Sequence, residues 1–127
     1  MKTWQPIPLE ALNANISEAV ANMSITELAL WHYIKITPEK WQETEYGNEG
    51  GGFWVVAIFG RQVLWYNDIE EGFNVSSYSK YGEIDTYACE QDELNTVVCR
   101  LYEDIKAGKV FFNLPPPGII GSDFQIR

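Results

Sequence analysis

Histidine is almost missing from this chain: His32 is the single one among 127 residues. A Ser-His-Asp or Cys-His site needs a histidine as general base, and His32 sits between Trp31 and Tyr33 in an apolar segment, which reads as a packed or surface residue. No GxSxG string occurs. Cysteine is scarce as well. Cys89 and Cys99 fall at the start and in the middle of a predicted helix, and ten residues of helix span about 15 Å, well beyond the about 7 Å that a disulfide allows between Cα atoms. Both are expected as free thiols, which fits a reducing cytoplasm. One His and two distant Cys do not make a transition-metal site, and no cofactor is expected.

Positive charge is the next shortage. Nine Lys and Arg stand against eighteen Asp and Glu, a net charge of −9, so the surface repels phosphate backbones and anionic lipid heads. Nucleic acid and membrane partners are not expected. The longest apolar run, Phe53 to Phe59, is far short of the roughly 20 residues of a membrane-crossing helix. The opening MKTWQPIPLE lacks the apolar core of a secretory signal, and the chain is expected to be mature from Met1 and cytoplasmic.

What is present is a globular composition: 46% apolar and 14% aromatic residues in one domain-sized chain. Leu9, Leu12, Ile16, Val20 and Met23 recur at helical spacing, predicting an amphipathic helix over 8–23 with Pro8 at its first position. Ser24 and Glu27 match a capping box and predict a second helix over 24–33. Leu30, His32, Ile34 and Ile36 also alternate as a strand would, and Pro38 is expected to stop either structure. The acidic, glycine-rich stretch 43–52 reads as a mobile loop or entry turn.

Phe53 to Phe59 reads as a strand covered on both faces, and Gly60-Arg61 as a two-residue hairpin turn. That turn pairs Ile58 with Val63, Val56 with Trp65 and Trp54 with Asn67 on the expected core face. A loop over 68–72 then leads to a third strand from Phe73, which adds Val75 to the same face. The opposite face, with Val55, Ala57, Phe59, Leu64 and Tyr66, is too apolar to stand bare. A second copy of the chain is one candidate cover, and the proline-rich tail after Val110 is another. Leu94, Val97, Val98, Leu101 and Ile105 predict a helix over 90–107. The expected fold is α+β: a single domain, 1–127, with an antiparallel meander over about 53–80 packed by N-terminal and C-terminal helices.

The densest polar and aromatic cluster is WYNDIEEGFN, Trp65 to Asn74. It fails as an EF-hand: with Gly72 as the sixth loop residue, Ile69 and Tyr78 occupy ligand positions three and twelve. Gly50-Gly51-Gly52 precedes a strand and not a helix, so it does not read as a phosphate loop. The strings GGGFWVVAIFG, VLWYNDIEEGFN, YGEIDTY and QDEL, within Trp31 to Leu101, resemble a small bacterial family of hypothetical proteins. The resemblance implies a bacterial source and brings neither an activity nor site residues.

Between Asp68 and Glu93 eight acids accompany the single Lys80, with Tyr78, Tyr81 and Tyr87 interspersed and Tyr66 just ahead of them. The composition suits capture of a basic protein, as an inhibitor or immunity-type module would do, and a solvated acidic face without a partner is the plain alternative. The candidate binding residues are Tyr66, Asn67, Asp68, Glu70, Glu71, Asn74, Tyr78 and Asp85. The enzymatic alternative is a hydrolase using Asp68, Glu70, Glu71 or Asp85 as paired carboxylates, with or without a divalent ion.

Overall fold

A computed structural model describes residues 4–108, so the tail expected to dock in extended form lies outside the described residues. The elements run α1 (Leu9–Ala21), α2 (Ile25–Ile34), β1 (Lys35–Trp41), a short 3-10 turn (Gly47–Gly50), β2 (Phe53–Phe59), β3 (Gln62–Asn67), β4 (Gly72–Ser77) and α3 (Leu94–Lys106). The strands form one antiparallel meander in chain order, and the helices pack on it, an α+β fold.

The helices start where local chemistry tells them to. Ser24 Oγ accepts the Glu27 N–H and the Glu27 carboxylate accepts the Ser24 N–H, a closed capping box at the head of α2. α2 then passes directly into β1, so both readings of residues 30–36 hold in succession. The expected stop at Pro38 is corrected. Pro38 lies inside an edge strand whose register shifts between Lys35 and Glu39, the setting in which a residue without an N–H is tolerated.

A second bulge changes the faces of the sheet. The tight turn at Gly60, φ 61°, pairs Ile58 with Val63 as expected. Between Val55 and Ala57 the register shifts, so Trp65 faces Val55 and not Val56, and Tyr66, not Asn67, faces Trp54. Val75 likewise pairs with Leu64. The face under the helices is therefore Val56, Ala57, Phe59, Leu64, Tyr66 and Phe73, joined by Leu12, Trp31, Ile34, Leu94, Val98 and Leu101. An extra residue in one strand re-aims every side chain beyond it, the physical origin of the difference.

The other face carries Trp41, Phe53, Val55, Val63 and Trp65, each at most 2% exposed. It is covered by irregular chain: α3 begins at Leu94 and not at Glu90, and Ile84, Tyr87 and Ala88 from the preceding segment lie over the sheet with Trp4 and Tyr78. Both faces of the sheet are thus packed by other segments of the chain. Buried backbone polar groups need partners, and the covering segment obtains them from the strands. Ile84 N–H donates to the Gln42 carbonyl at 2.9 Å, Asp85 N–H to Ser77 at 3.0 Å and Phe73 N–H to Asp92 at 2.8 Å.

The stretch 43–52 is built rather than loose. Glu43 is 3% exposed, and its carboxylate accepts the N–H groups of Glu45, Tyr46 and Gly47 at 2.7–3.0 Å. Gly52, at φ 103°, brings its backbone so close to the Trp41 carbonyl that a Cβ would sit 2.4 Å from the oxygen. The turn therefore admits no side chain there.

Candidate functional site

Five of the eight candidate residues, Asn67, Asp68, Asn74, Tyr78 and Asp85, hold the fold together. Asn67, fully buried at the end of β3, uses every hydrogen-bonding position it has. Its Oδ1 accepts from Ile69 and Glu70 N–H, folding the β3–β4 turn, and its Nδ2 donates to Tyr87 Oη at 3.0 Å and the Ala88 carbonyl at 2.9 Å. Asn74, 2% exposed, donates from Nδ2 to the Gly72 and Glu90 carbonyls and accepts the Glu90 N–H at 2.7 Å. Tyr78 donates its hydroxyl to the Gly60 carbonyl and meets Trp41 edge-on at 5.2 Å. The Asp85 carboxylate accepts from the Ser77 and Ser79 hydroxyls and the Ser79 N–H.

Asp68 clamps the N-terminal segment. Its Oδ2 accepts the Ile7 N–H at 2.7 Å, and the Ile7 carbonyl accepts Trp54 Nε1 at 3.1 Å. Asp68 Oδ1 is buried with no hydrogen-bond partner among the described residues. Burial pushes the Asp68 carboxyl above the usual carboxylate range, against the opposing pull of its backbone hydrogen bonds and of Lys40. Lys40 itself lies over the Trp54 ring at 5.1 Å. Glu70 accepts from Gln91 Nε2 at 3.3 Å.

Of the carboxylates named for the hydrolase reading, Asp68, Glu70 and Glu71 share the β3–β4 turn and Asp85 lies apart from them. Asn67, at the head of the 68–71 turn, pairs with Gly72, whereas Ser77, which holds Asp85, pairs with Gln62 at the far end of β4. Five residues of strand separate those ends by about 17 Å, beyond the about 5–9.5 Å between working carboxylate pairs. Cys89 and Cys99 are free thiols, as expected. The neighbouring Glu27 carboxylate raises the Cys99 thiol's pKa, which disfavours the thiolate a nucleophile needs. His32 is exposed on α2.

Two candidates, Tyr66 and Glu71, meet at a cavity of about 180 Å³. Its other walls come from distant chain: Asn15 and Glu18 of α1 with Asn22 just after it, and Asp92, Glu93 and Asn95 at the entrance to α3. Glu71 reaches it because the turn closes with a left-handed residue, φ 62° at Glu71, as the Glu71 N–H bonds to the Asn67 carbonyl. Four carboxylates and four carboxamides line the cavity, and no Lys, Arg or His does. Asp92 is held by Arg100 at 2.8 Å; Glu18, Glu71 and Glu93 have no ion-pair partner among the described residues. Burial first, then the charges of Glu71 and Asp68, push the Tyr66 hydroxyl upward in pKa.

The acid and carboxamides at 15, 18 and 22, along α1 and its C-cap, repeat at steps of three and four, so one helix face was readable as polar. Nothing in the sequence indicated that this face would meet the β3–β4 turn. Among the described residues no group of three or more His, Cys, Asp and Glu is placed to hold a metal ion, and no helix is long and apolar enough to cross a membrane. No family model, no curated protein and no solved structure matches the chain.

Proposed function

We propose that this protein is an acidic, non-enzymatic binding module that engages a basic protein partner, in the manner of an inhibitor or immunity-type protein, through the face formed by the β3–β4 turn and the segment leading into α3. The observation that carries the reading is the unpaired charge there. Glu71, Glu90 and Glu93 are exposed and lack an ion-pair partner among the described residues. Acids left without cations create a field that speeds encounter with a positive surface and fixes its orientation. Exposed Tyr81 and half-buried Tyr87 supply aromatic area on the same covering segment.

The free thiols agree with a cytoplasmic location, and the motif resemblance supports a bacterial source. A homodimer is the less supported association, since both sheet faces are covered within the chain. The test is affinity for a basic partner protein measured with wild type and with a variant carrying Glu70→Gln, Glu71→Gln and Glu93→Gln. The reading expects a loss of about tenfold or more, mainly in association rate and mainly at low salt. Unchanged affinity would remove it.

A further inference from the structure

We infer that the cavity between α1, the β3–β4 turn and the entrance to α3 receives the guanidinium or ammonium head group of a basic side chain. The inference rests on the reading of the protein as a module for basic partners and names where one residue of that partner goes.

Charge is the first argument. Glu18, Glu71 and Glu93 face the cavity without ion-pair partners among the described residues, and no cationic side chain lines it. The N-terminus of α3 contributes only about half a positive charge. It does not reverse three carboxylates, so an anion is repelled.

The second argument is independent of the acids. Tyr66 is only 7% exposed, and its hydroxyl has no hydrogen-bond partner among the described residues, which leaves it open to whatever enters the cavity it lines. Tyr66 and Glu71 both line the cavity. Asn95 Oδ1 is a further buried acceptor without a partner. Asn95 Oδ1 only accepts and the Tyr66 hydroxyl can accept as well as donate, and a guanidinium offers five N–H donors and no acceptor, an ammonium three.

The rings and the size point the same way. Tyr66 and Phe73, both lining the cavity, stand edge to face with centroids 4.8 Å apart, giving a cation an aromatic wall and its aliphatic stem an apolar one. A volume of about 180 Å³ lies below the roughly 300 Å³ at which drug-sized ligands begin to fit. A side-chain head group fits that space better than a whole metabolite. The cavity acids do not group closely enough to hold a metal ion, which favours an organic cation with its donors spread out.

The experiment is an NMR titration of the full chain with methylguanidinium, with the amidated tripeptide Gly-Arg-Gly, and with Gly-Gln-Gly as the neutral control. Saturable shifts are expected at the Asn95 side-chain amide and at the Glu71 and Asn95 backbone amides. The arginine peptide should bind about tenfold more tightly than the control, and Tyr66→Phe and Glu71→Gln should each weaken it about fivefold. Tyr66→Phe keeps the ring, so a folded variant is expected, and its dispersed spectrum verifies it. Salt-sensitive peptide binding that maps to Glu83 and Asp85, or that ignores both substitutions, overturns the cavity assignment and leaves the acidic-module reading standing. Methylguanidinium in the cavity without affinity for any basic peptide or protein overturns the assignment to a partner's side chain and removes the module reading with it. No saturable shift with any cation overturns the inference.

Discussion

The Asn74 side chain pairs with the backbone of Glu90 as a neighbouring strand would: Nδ2 donates to the Glu90 carbonyl at 3.1 Å and Oδ1 accepts the Glu90 N–H at 2.7 Å. One carboxamide thereby replaces a missing strand residue and fastens the segment that covers the aromatic face. This explains why a polar residue tolerates 2% exposure inside a sheet.

Removing that clamp should be felt in stability. Asn74→Ala leaves a buried carbonyl of Gly72 and the part-buried backbone groups of Glu90 without their partner, and a loss of about 1–3 kcal/mol in urea unfolding is expected. A loss under about 0.5 kcal/mol, the range of an ordinary surface change, contradicts the assignment.

A similar relay runs from Trp65 Nε1 to Ser76 Oγ at 3.0 Å, and from Ser76 Oγ to the Thr86 carbonyl at 2.8 Å. Ser76→Ala strands a buried indole N–H and should cost about 1–3 kcal/mol. In a Trp65→Phe background, where the N–H is already gone, the same substitution should cost measurably less. Equal costs in both backgrounds show that the two side chains are not coupled.

Stability should also depend on Asp68 with a definite sign. Burial raises its carboxyl pKa above the ordinary value of 3.8, so between that value and the raised one the folded chain holds more proton than the unfolded chain. The contribution is fully present below the ordinary pKa and is lost as pH rises through the folded one. Measured as wild type minus Asp68→Asn, the unfolding free energy should therefore increase as pH falls from 7 to about 4. A difference that stays flat or decreases over that window contradicts the burial of this carboxyl.

These networks also explain what was legible in the sequence. The capping box at Ser24, the turn at Gly60 and the apolar stripe of α3 are local, each written within a few residues, and each appears where expected. β1 was hidden because Pro38 reads as a stop and only its edge position makes it permissible. The faces of β2 were undetermined: FWVVAIF is apolar at every position, so alternation gives no direction, and the bulge at Val56 decided it. Residues 78–92 carry no periodicity, since side chains of Asn67, Asn74 and Ser76 hold them in place of a regular ladder. Those same polar residues made WYNDIEEGFN look like a site. Of that cluster, Tyr66 and Glu71 reach the acidic cavity, whose remaining walls lie some fifty residues before and twenty after them in the chain, beyond the reach of any local pattern.

The central claim is that unpaired acids at the β3–β4 turn and the entrance to α3 recruit a basic protein. Its most direct test retains proteins from lysate on the immobilised wild-type chain and on the Glu70→Gln, Glu71→Gln, Glu93→Gln variant, at low and high salt, with the captured species identified and then titrated in purified form. The account predicts a basic protein that the wild type holds at low salt, releases at high salt, and that the variant holds at least about tenfold more weakly. A partner bound equally by both chains, or one unaffected by salt, contradicts it.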